Sequence, residues 1–338
     1  MIHEQNKALI GQFRAALYDV NEANLLSQLQ SVFAPNSAVK LTFPFEDLDG
    51  AAGLYEQAYR PLIAAMPDVE RRDFIVMAGE SQGQNWVGCA GHYIGVWERP
   101  FLDIPATRHP AFMRYAEFFR VEENKIVEMQ AVWDIPQLMM QANAWPMSPS
   151  LGIEWLVPGP ATQDGIITKP HNPEKAAASI KLVVDMLNGL AKSPQGVEAM
   201  QLEKYWHPKF LWYGPAAIGT TRRISGFRNW HQIPFLKAMP DRGVFMDKGI
   251  TFGDDEYVGF TAWPGMRMKL SGAGWKGIAT SITEMRMRSL DFWRCENGLI
   301  RENWVLIDLL HIYDQLGVDV FERMRELTIA RQPRPFQK

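Results

Sequence analysis

The sequence predicts two tandem domains of the α+β class, each with helices packed on a mostly antiparallel sheet. Two stretches, KIVEMQAVWD and LIRENWVLID, have the pattern of β-strands that end in an acid, and the acids Asp134 and Asp308 lie 174 positions apart. Other pairs repeat at that offset or at 173: Arg114 and Arg288, Glu117 and Asp291, Gln141 and Gln315, Pro61 and Pro234. Helices precede most strands in each half. Two diverged copies of one domain explain these observations.

The first half is predicted to have the order α-α-β-α-β-β-β-β, followed by a helical tail to Gln141. Helices are predicted where apolar residues recur at helical spacing: 7–20, 25–33 and 53–66. Strands are predicted where apolar and polar residues alternate between turn residues: 39–45, 74–79, 86–97, 112–121 and 125–134. Because proline lacks the donor N–H group, Pro61 is expected to bend the third helix.

The second half repeats this order. Asn172 is a plausible N-cap, with Pro173 at the first helical position. Helices are predicted over three segments: 173–190, 197–206 and 226–239. Strands are predicted over five: 210–213, 248–252, 257–263, 280–295 and 299–308.

The segment 143–173 is rich in proline and glycine and is interpreted as the connection between the domains. It also contains Trp145, Ile153 and Trp155, so it is expected to pack on a domain surface. The predicted division is therefore a first domain over 1–142, the connection over 143–173 and a second domain over 174–330. The C-terminal tail, 331–338, is expected to be loose or to reach onto a neighbour.

The charge, the hydropathy pattern and the cysteine count argue against several classes of protein. The net charge of −3 and the lack of a Lys/Arg block argue against a nucleic-acid partner. No apolar run is long enough to cross a membrane, and the N-terminus has no signal-peptide pattern, so a cytoplasmic protein is expected. Cys89 and Cys295 form neither a disulfide framework nor a zinc motif. The 17 methionines and 12 tryptophans suit either an adaptable apolar cavity or large cores.

Two motifs resemble the SnoaL-like polyketide cyclases of the nuclear transport factor 2-like superfamily. One is the last strand with its terminal acid in each half; the other is GHYIG (91–95) with PAT (105–107) in the first half only. The resemblance implies a cone-shaped, cystatin-like α+β barrel in each half. It also implies no cofactor and ring closure by intramolecular aldol condensation. By superfamily resemblance, the two halves are expected to pack as an internal pseudo-dimer, and further homo-oligomers are possible.

The resemblance assigns the general base to Asp134 and Asp308, and the histidine of the second motif to His92. Removing a proton next to a carbonyl needs a positioned carboxylate, and the resulting enolate needs a hydrogen-bond donor. Candidate donors and substrate-binding residues are Tyr115, Tyr213, Trp304, Trp133, Glu117, Asp291 and His231. Because the second half lacks the histidine motif, Asp134 is predicted to be the better base.

Each of these residues also has a structural interpretation. Asp134 and Asp308 precede helices and can act as N-caps. His92 can be a structural histidine in a glycine-rich strand, and His231 can simply belong to the core. Glu117 and Asp291 face the cavity only if the strand register places them there.

Three hypotheses follow. The first is a cofactor-independent cyclase or isomerase that acts on an apolar, carbonyl-containing small molecule. The second is a protein that binds an apolar ligand without catalysis. In the third, one half is degenerate and serves assembly.

Overall fold

The computed structural model describes residues 2–192, 195–245 and 249–331. The first half contains one six-stranded sheet in the order β2-β1-β6-β5-β4-β3, in which only β1 and β6 pair in parallel. Its strands are β1 (Phe33–Leu41), β2 (Glu46–Asp49), β3 (Glu70–Ser81), β4 (Gln84–Val96), β5 (Pro110–Glu122) and β6 (Lys125–Trp133). Its helices are α1 (Ile2–Tyr18), α2 (Glu22–Val32), α3 (Gly50–Leu54), α4 (Arg60–Ala65) and α5 (Ile135–Gln141).

The second half has a sheet of the same order, β10-β11-β12-β13-β7-β8, with β9 paired to β11. Its strands are β7 (Trp206–Tyr213), β8 (Thr221–Arg222), β9 (Gly243–Val244), β10 (Gly249–Asp254), β11 (Tyr257–Leu270), β12 (Ser281–Glu296) and β13 (Leu299–Ile307). Its helices are α6 (Pro173–Leu190), α7 (Arg223–Phe227), α8 (Ile233–Ala238), α9 (Leu309–Gln315) and α10 (Val320–Arg331). The predicted fold class, two tandem α+β units, is confirmed.

Local details repeat as well. The third helix of each half contains a π-helical turn, Tyr55–Tyr59 or Arg228–Gln232, followed directly by the short helix that contains Pro61 or Pro234. The repeated glutamine has one role in both copies. The Gln141 side chain bonds the Phe112 backbone N–H and C=O, and Gln315 does the same to Arg286.

Two predictions for the second half differ from the structure. The helix predicted over 197–206 is wrong: two short 3₁₀ turns occupy the region, Glu198–Met200 and Leu202–Lys204. Gln201 between them has a left-handed backbone, with φ of +51°, which no α-helix can continue through. Residue 248 of the strand predicted over 248–252, and residues 332–338 of the predicted tail, lie outside the described residues.

The two sheets pack against each other through one face each, which we call the outer face. The inner face of each sheet packs on the helices of its own half. Phe118 and Phe292 meet between the outer faces, with ring centroids 4.8 Å apart. The residues of this interface form a core of their own that includes Ala90, Ala116 and Leu290. Because side chains alternate along a strand, the neighbours of these residues point to the inner faces.

Candidate functional site

The structure separates the predicted site residues into three places. Tyr115, Glu117 and Trp133 lie inside the first half, and His231 and Asp291 lie inside the second. The remaining five lie at the interface between the halves: Asp134, Asp308, His92, Tyr213 and Trp304. The three groups are separate from one another.

Asp134 follows the last residue of β6 and points to the outer face. Its Oδ2 accepts a hydrogen bond from the backbone N–H of Ala216, in the second half, at 2.9 Å, and lies 3.5 Å from Nη2 of Arg114. Burial raises the pKa of Asp134 to about 6, although Arg114 and the Ala216 amide act in the opposite direction. The side chain makes no capping bond to α5. Its contacts therefore join the two halves.

Asp308 makes the reciprocal contact. Its Oδ2 accepts a hydrogen bond from the backbone N–H of Phe43, in the first half, at 3.0 Å and from Nη1 of Arg288 at 3.2 Å. It also caps α9, because Oδ1 accepts from the N–H of His311 at 3.3 Å. Burial raises its pKa as well. The capping interpretation thus applies to Asp308, and the base role predicted for both aspartates stays a prediction.

His92 lies on the outer face of β4, in register with Arg114 on β5. Its ring sits between Phe74 and Phe112, with centroid distances of 5.4 and 6.0 Å. Burial, and then the nearby Arg114 charge, lower the pKa of His92 to about 3, so the ring is neutral. Nε2 has no hydrogen-bond partner within the part of the chain that the structure describes. His92 and Asp134 therefore share Arg114 as a neighbour, but neither faces the interior of the first half.

Tyr213 and Trp304 stack on each other at 5.2 Å on the outer face of the second sheet. The Tyr213 hydroxyl donates to Glu302 at 3.0 Å, and the Trp304 indole N–H donates to the carbonyl of Pro158 at 3.0 Å. Pro158 belongs to the connecting segment. Of these two predicted donors, Trp304 thus bonds the connecting segment, and Tyr213 bonds Glu302 within the sheet.

Inside the first half, Glu117 is fully buried and fully bonded. It accepts hydrogen bonds from Arg71 at 2.6 Å, from the Tyr93 hydroxyl at 3.0 Å and from the Trp133 indole at 3.1 Å. The Tyr59 hydroxyl lies 2.9 Å from that of Tyr93 and extends the network. Every oxygen of this carboxylate therefore has a protein partner.

A second carboxylate completes this network. Asp73 accepts from Arg14 at 2.8 Å, from Arg71 at 2.9 Å and from the Tyr115 hydroxyl at 2.9 Å. Although burial opposes ionisation, Arg71 and Arg14 hold the pKa of Asp73 below its usual value. The Arg71 guanidinium lies 4.2 Å from the centre of the Tyr115 ring. Paired charges and aromatic rings thus occupy the interior of the first half.

Inside the second half, Asp291 stands at the position equivalent to Glu117. It precedes Phe292, which lies on the outer face, so Asp291 points inward. None of the described residues forms an ion pair with it. Burial raises the pKa of Asp291 to about 8, and a hydrogen bond with Asn303 acts in the opposite direction. The residue is partly exposed, so it is not fully sealed from solvent.

His231 approaches the same interior from the helical side. Its ring stacks on Trp212 with centroids 4.2 Å apart and planes 17° apart. Burial, followed by the nearby Lys276 charge, lowers the pKa of His231 to about 3, and this residue is also partly exposed. Trp212 pairs in register with Asn303. The row Asp291, Asn303, Trp212 and His231 therefore crosses the inner face of the second sheet.

The walls around this row are apolar. The inner-face residues are Phe260, Met266, Met287, Trp293, Val305 and Ile307. Phe260 and Met266 are partly exposed, like Asp291. Methionine and aromatic side chains adapt to differently shaped apolar ligands. Apolar side chains, two of them partly exposed, therefore surround Asp291 and His231.

A separate cleft of about 290 Å³ lies where the halves meet near α9 and α10. It is lined by Phe43, Pro44, Leu102, Asp103, Leu310, Asp314, Val318, Asp319, Val320, Phe321 and Arg325. It contains none of the predicted site residues and none of the row on the inner face. This cleft therefore does not coincide with the predicted site.

Sequence reasoning missed several charged residues. Arg71 and Asp73 carried no signal, because a buried ion pair in a strand looks like surface charge in the sequence. Arg114 and Arg288 did carry one: they repeat at the same offset as Asp134 and Asp308. Arginine and aspartate repeating together could have suggested a pair in each copy.

Neither metal ligands nor a membrane span stands out in the described ranges. No group of three or more His, Cys, Asp and Glu side chains is arranged to hold a metal ion in residues 2–192, 195–245 and 249–331. Within the same ranges, no helix has the length and apolar character to cross a membrane.

The architecture defines each half as an α+β unit whose sheet packs on its own helices inside and on the other unit outside. Residues 185–316 match the family model described as SnoaL-like polyketide cyclase. The second half therefore carries a SnoaL-like domain, and the resemblance drawn from the sequence is confirmed. The two sheets support two tandem copies of this fold. No curated protein matches the sequence.

Solved structures resemble one half of the chain at low identity. IdmH, a putative polyketide cyclase from Streptomyces antibioticus, is 18% identical; the match covers 41% of this chain and 99% of that chain, with a TM-score of 0.35. A putative SnoaL-like polyketide cyclase from Jannaschia sp. CCS1 is 16% identical, with 41% and 92% covered and a TM-score of 0.35. AclR, a putative hydroxylase from Streptomyces galilaeus, is 18% identical, with 41% and 95% covered and a TM-score of 0.34.

Proposed function

We propose that the second half binds an apolar, carbonyl-containing small molecule and catalyses proton transfer at the carbon next to the carbonyl. The observation that carries this proposal is the contrast between two equivalent carboxyl groups. Glu117 is bonded to Arg71, Tyr93 and Trp133, whereas Asp291 has no cation partner among the described residues and is partly exposed beside apolar side chains. A carboxyl group in such surroundings is suited to exchange a proton with a ligand.

The chemistry follows from the two protonation states of Asp291. The ionised form takes the proton from the carbon, and the electron pair of the broken C–H bond moves onto the carbonyl oxygen as an enolate. Neutral His231 has one ring N–H group that can donate to that oxygen. In an isomerisation, Asp291 then returns the proton to carbon. In a ring closure, the enolate carbon forms a bond to a second carbonyl carbon of the same molecule, the π electrons of that carbonyl move onto its oxygen, and Asp291 gives the proton to the resulting alkoxide. No cofactor takes part in this scheme.

Asp291 rather than Asp134 is proposed as the base because of what each carboxylate already contacts. Asp134 accepts the Ala216 amide and lies beside Arg114 on the outer face. A substrate would have to displace the second half to reach it. Asp291 lies beside the apolar walls, where a ligand can approach it without breaking an ion pair.

The test is hydrogen–deuterium exchange at the carbon next to the carbonyl of bicyclic aryl ketones such as 1-tetralone. Exchange in D₂O is followed by NMR for wild type, Asp291→Asn, His231→Gln and Asp134→Asn. Asp291→Asn is expected to lower the protein-dependent exchange rate by about 10²–10⁴-fold, the usual contribution of a positioned base. Exchange that survives Asp291→Asn but is lost in Asp134→Asn would transfer the base role to Asp134.

Binding without catalysis is the second candidate function. The observation that favours it is the methionine and aromatic character of the inner walls, which suits ligand accommodation whether or not a base is present. In this case the fluorescent apolar dye 8-anilinonaphthalene-1-sulfonate binds wild type and Asp291→Asn equally, and ketones displace it equally from both proteins. No ketone exchanges deuterium faster with the protein than in solvent alone.

A further inference from the structure

Two side chains of the first half bind the turn that follows β7 of the second half, next to the inner-face residue Trp212. Nη2 of Arg114 donates to the carbonyl of Gly214 at 2.6 Å, and Nη1 donates to that of Tyr213 at 3.2 Å. Asp134 accepts the N–H of Ala216 at 2.9 Å. Arg114 and Asp134 therefore fix both ends of the short turn that follows β7.

This turn is packed against Trp212. A Cβ atom added at Gly214 would lie 2.2 Å from Cζ3 of the Trp212 ring, which leaves room only for glycine. Close packing of this kind transmits displacement, because the ring cannot keep its place if the backbone beside it moves. The position of Trp212 thus depends on contacts made by the first half.

Trp212 in turn neighbours two of the three polar residues of the inner-face row. His231 stacks on it at 4.2 Å, and Asn303, which hydrogen-bonds with Asp291, pairs with it in register. A continuous series of contacts therefore runs from Asp134 on the outer face to the proposed site.

We infer that Arg114 and Asp134 of the first half are positioning residues for the interior site of the second half. They act through the 213–216 turn and Trp212 rather than by touching a ligand. The inference rests on the proposed function only for its effect on turnover, since the effect on His231 exists without any ligand. It also gives the first half, whose interior is occupied by paired charges, a role in the site of the second.

The pseudo-symmetry supplies a matched control. Asp308 accepts the N–H of Phe43 in the equivalent turn after β1, and that turn leads to Phe45, which packs on Trp133 at 5.9 Å inside the first half. Loss of Asp308 therefore disturbs an interface contact of the same kind on the path to the other interior. It also removes the cap of α9 in the second half, so this control perturbs the second half without touching the 213–216 turn.

The experiment is an NMR measurement of the His231 ring protons in the ligand-free full-length protein, assigned with His231→Gln. A stacked indole displaces these resonances upfield. We expect Asp134→Ala to abolish most of that displacement, Asp134→Asn to retain it because the amide oxygen still accepts the Ala216 N–H, and Asp308→Ala to leave it unchanged. If Asp134→Ala unfolds the protein, the double variant Arg114→Met/Asp134→Leu removes the charges together, a change that buried pairs tolerate.

The outcomes separate this inference from the proposed function. Unchanged His231 resonances in a folded Asp134→Ala or double variant overturn the positioning role, whatever the ketone exchange assay shows. The positioning role is also overturned if Asp308→Ala shifts these resonances as much as Asp134→Ala does, because the shift then reflects a general loss of packing at the interface. If the resonances move only with Asp134 while Asp291→Asn leaves exchange intact, the positioning role stands and the proposed base is wrong.

Discussion

Phe118 and Phe292 stack with their ring planes 19° apart, and each is the repeat counterpart of the other, 174 positions away. A residue that meets its own counterpart lies on a pseudo-twofold axis, as in an isologous dimer interface. The reciprocal contacts of Asp134 with Ala216 and of Asp308 with Phe43 obey the same relation. The two halves thus contact each other through equivalent positions, although their interiors differ.

The glycines beside this axis are predicted to be needed for the stack. A Cβ atom at Gly88 would lie 2.8 Å from Cε1 of Phe292, and one at Gly259 would lie 3.0 Å from Cε1 of Phe118. We expect Gly88→Ala to lower the free energy of unfolding by about 1–3 kcal/mol through overpacking. Urea denaturation measures this. Gly11→Ala, in α1 with no atom near the added methyl group, is the control and should not destabilise.

Glu117 is predicted to be structural. Glu117→Ala leaves the fully buried Arg71 with one carboxylate partner fewer and is expected to lower the free energy of unfolding by about 3–5 kcal/mol. Denaturant titration at neutral pH is the measurement, and Asp291→Asn, which removes the charge at the equivalent position of the other half, is the comparison. A loss for Glu117→Ala no greater than that for Asp291→Asn would contradict the contrast between the two interiors.

Asp291 is predicted to make stability depend on pH. Its pKa is about 8 in the folded protein, above the usual ~3.9 of the unfolded chain, so the folded state holds one extra proton between these values. Stability from this group is fully present below pH ~4 and is lost as pH rises towards 8, by up to about 1.4 kcal/mol per pH unit. Urea titrations at pH 6 and 8 should show a steeper fall for wild type than for Asp291→Asn. Equal slopes would mean that the carboxyl is solvated.

The pH profile of ketone exchange is predicted to reveal the role of Asp291. If the ionised carboxylate is the base, the rate at saturating ketone rises with pH and levels off above about 8. If the neutral acid is the active form, the rate falls over the same range. A profile that is flat from pH 6 to 9 and unaltered in Asp291→Asn would remove this residue from the reaction.

His92 is predicted to be dispensable. Its Nε2 has no partner within the described residues, and phenylalanine rings flank it, so His92→Phe replaces a buried unsatisfied group by an apolar one. We expect the free energy of unfolding to change by no more than about 1 kcal/mol and ketone exchange to stay at the wild-type rate. Loss of exchange with retained stability would restore the catalytic role suggested by the GHYIG motif.

The sequence by itself determined that the chain is a tandem repeat of one α+β unit, and it indicated the family. These properties follow from patterns that can be read along the chain without its tertiary contacts: an offset of 174, alternation along strands, and an acid after the last strand of each copy. Gln141 recurs as Gln315, and Pro61 recurs as Pro234. The structure places each of these repeated residues in equivalent surroundings in the two halves.

Only the tertiary structure decided what those positions do. Trp133 points inward and Asp134 outward because side chains alternate, but the sequence does not reveal that the outer face of one half is covered by the other. Glu117 and Asp291 occupy equivalent positions, yet Arg71, 46 residues before Glu117, bonds the first and no described cation bonds the second. Such partners are distant in sequence, so the chemistry of a repeated carboxyl group depends on neighbours that only folding brings together.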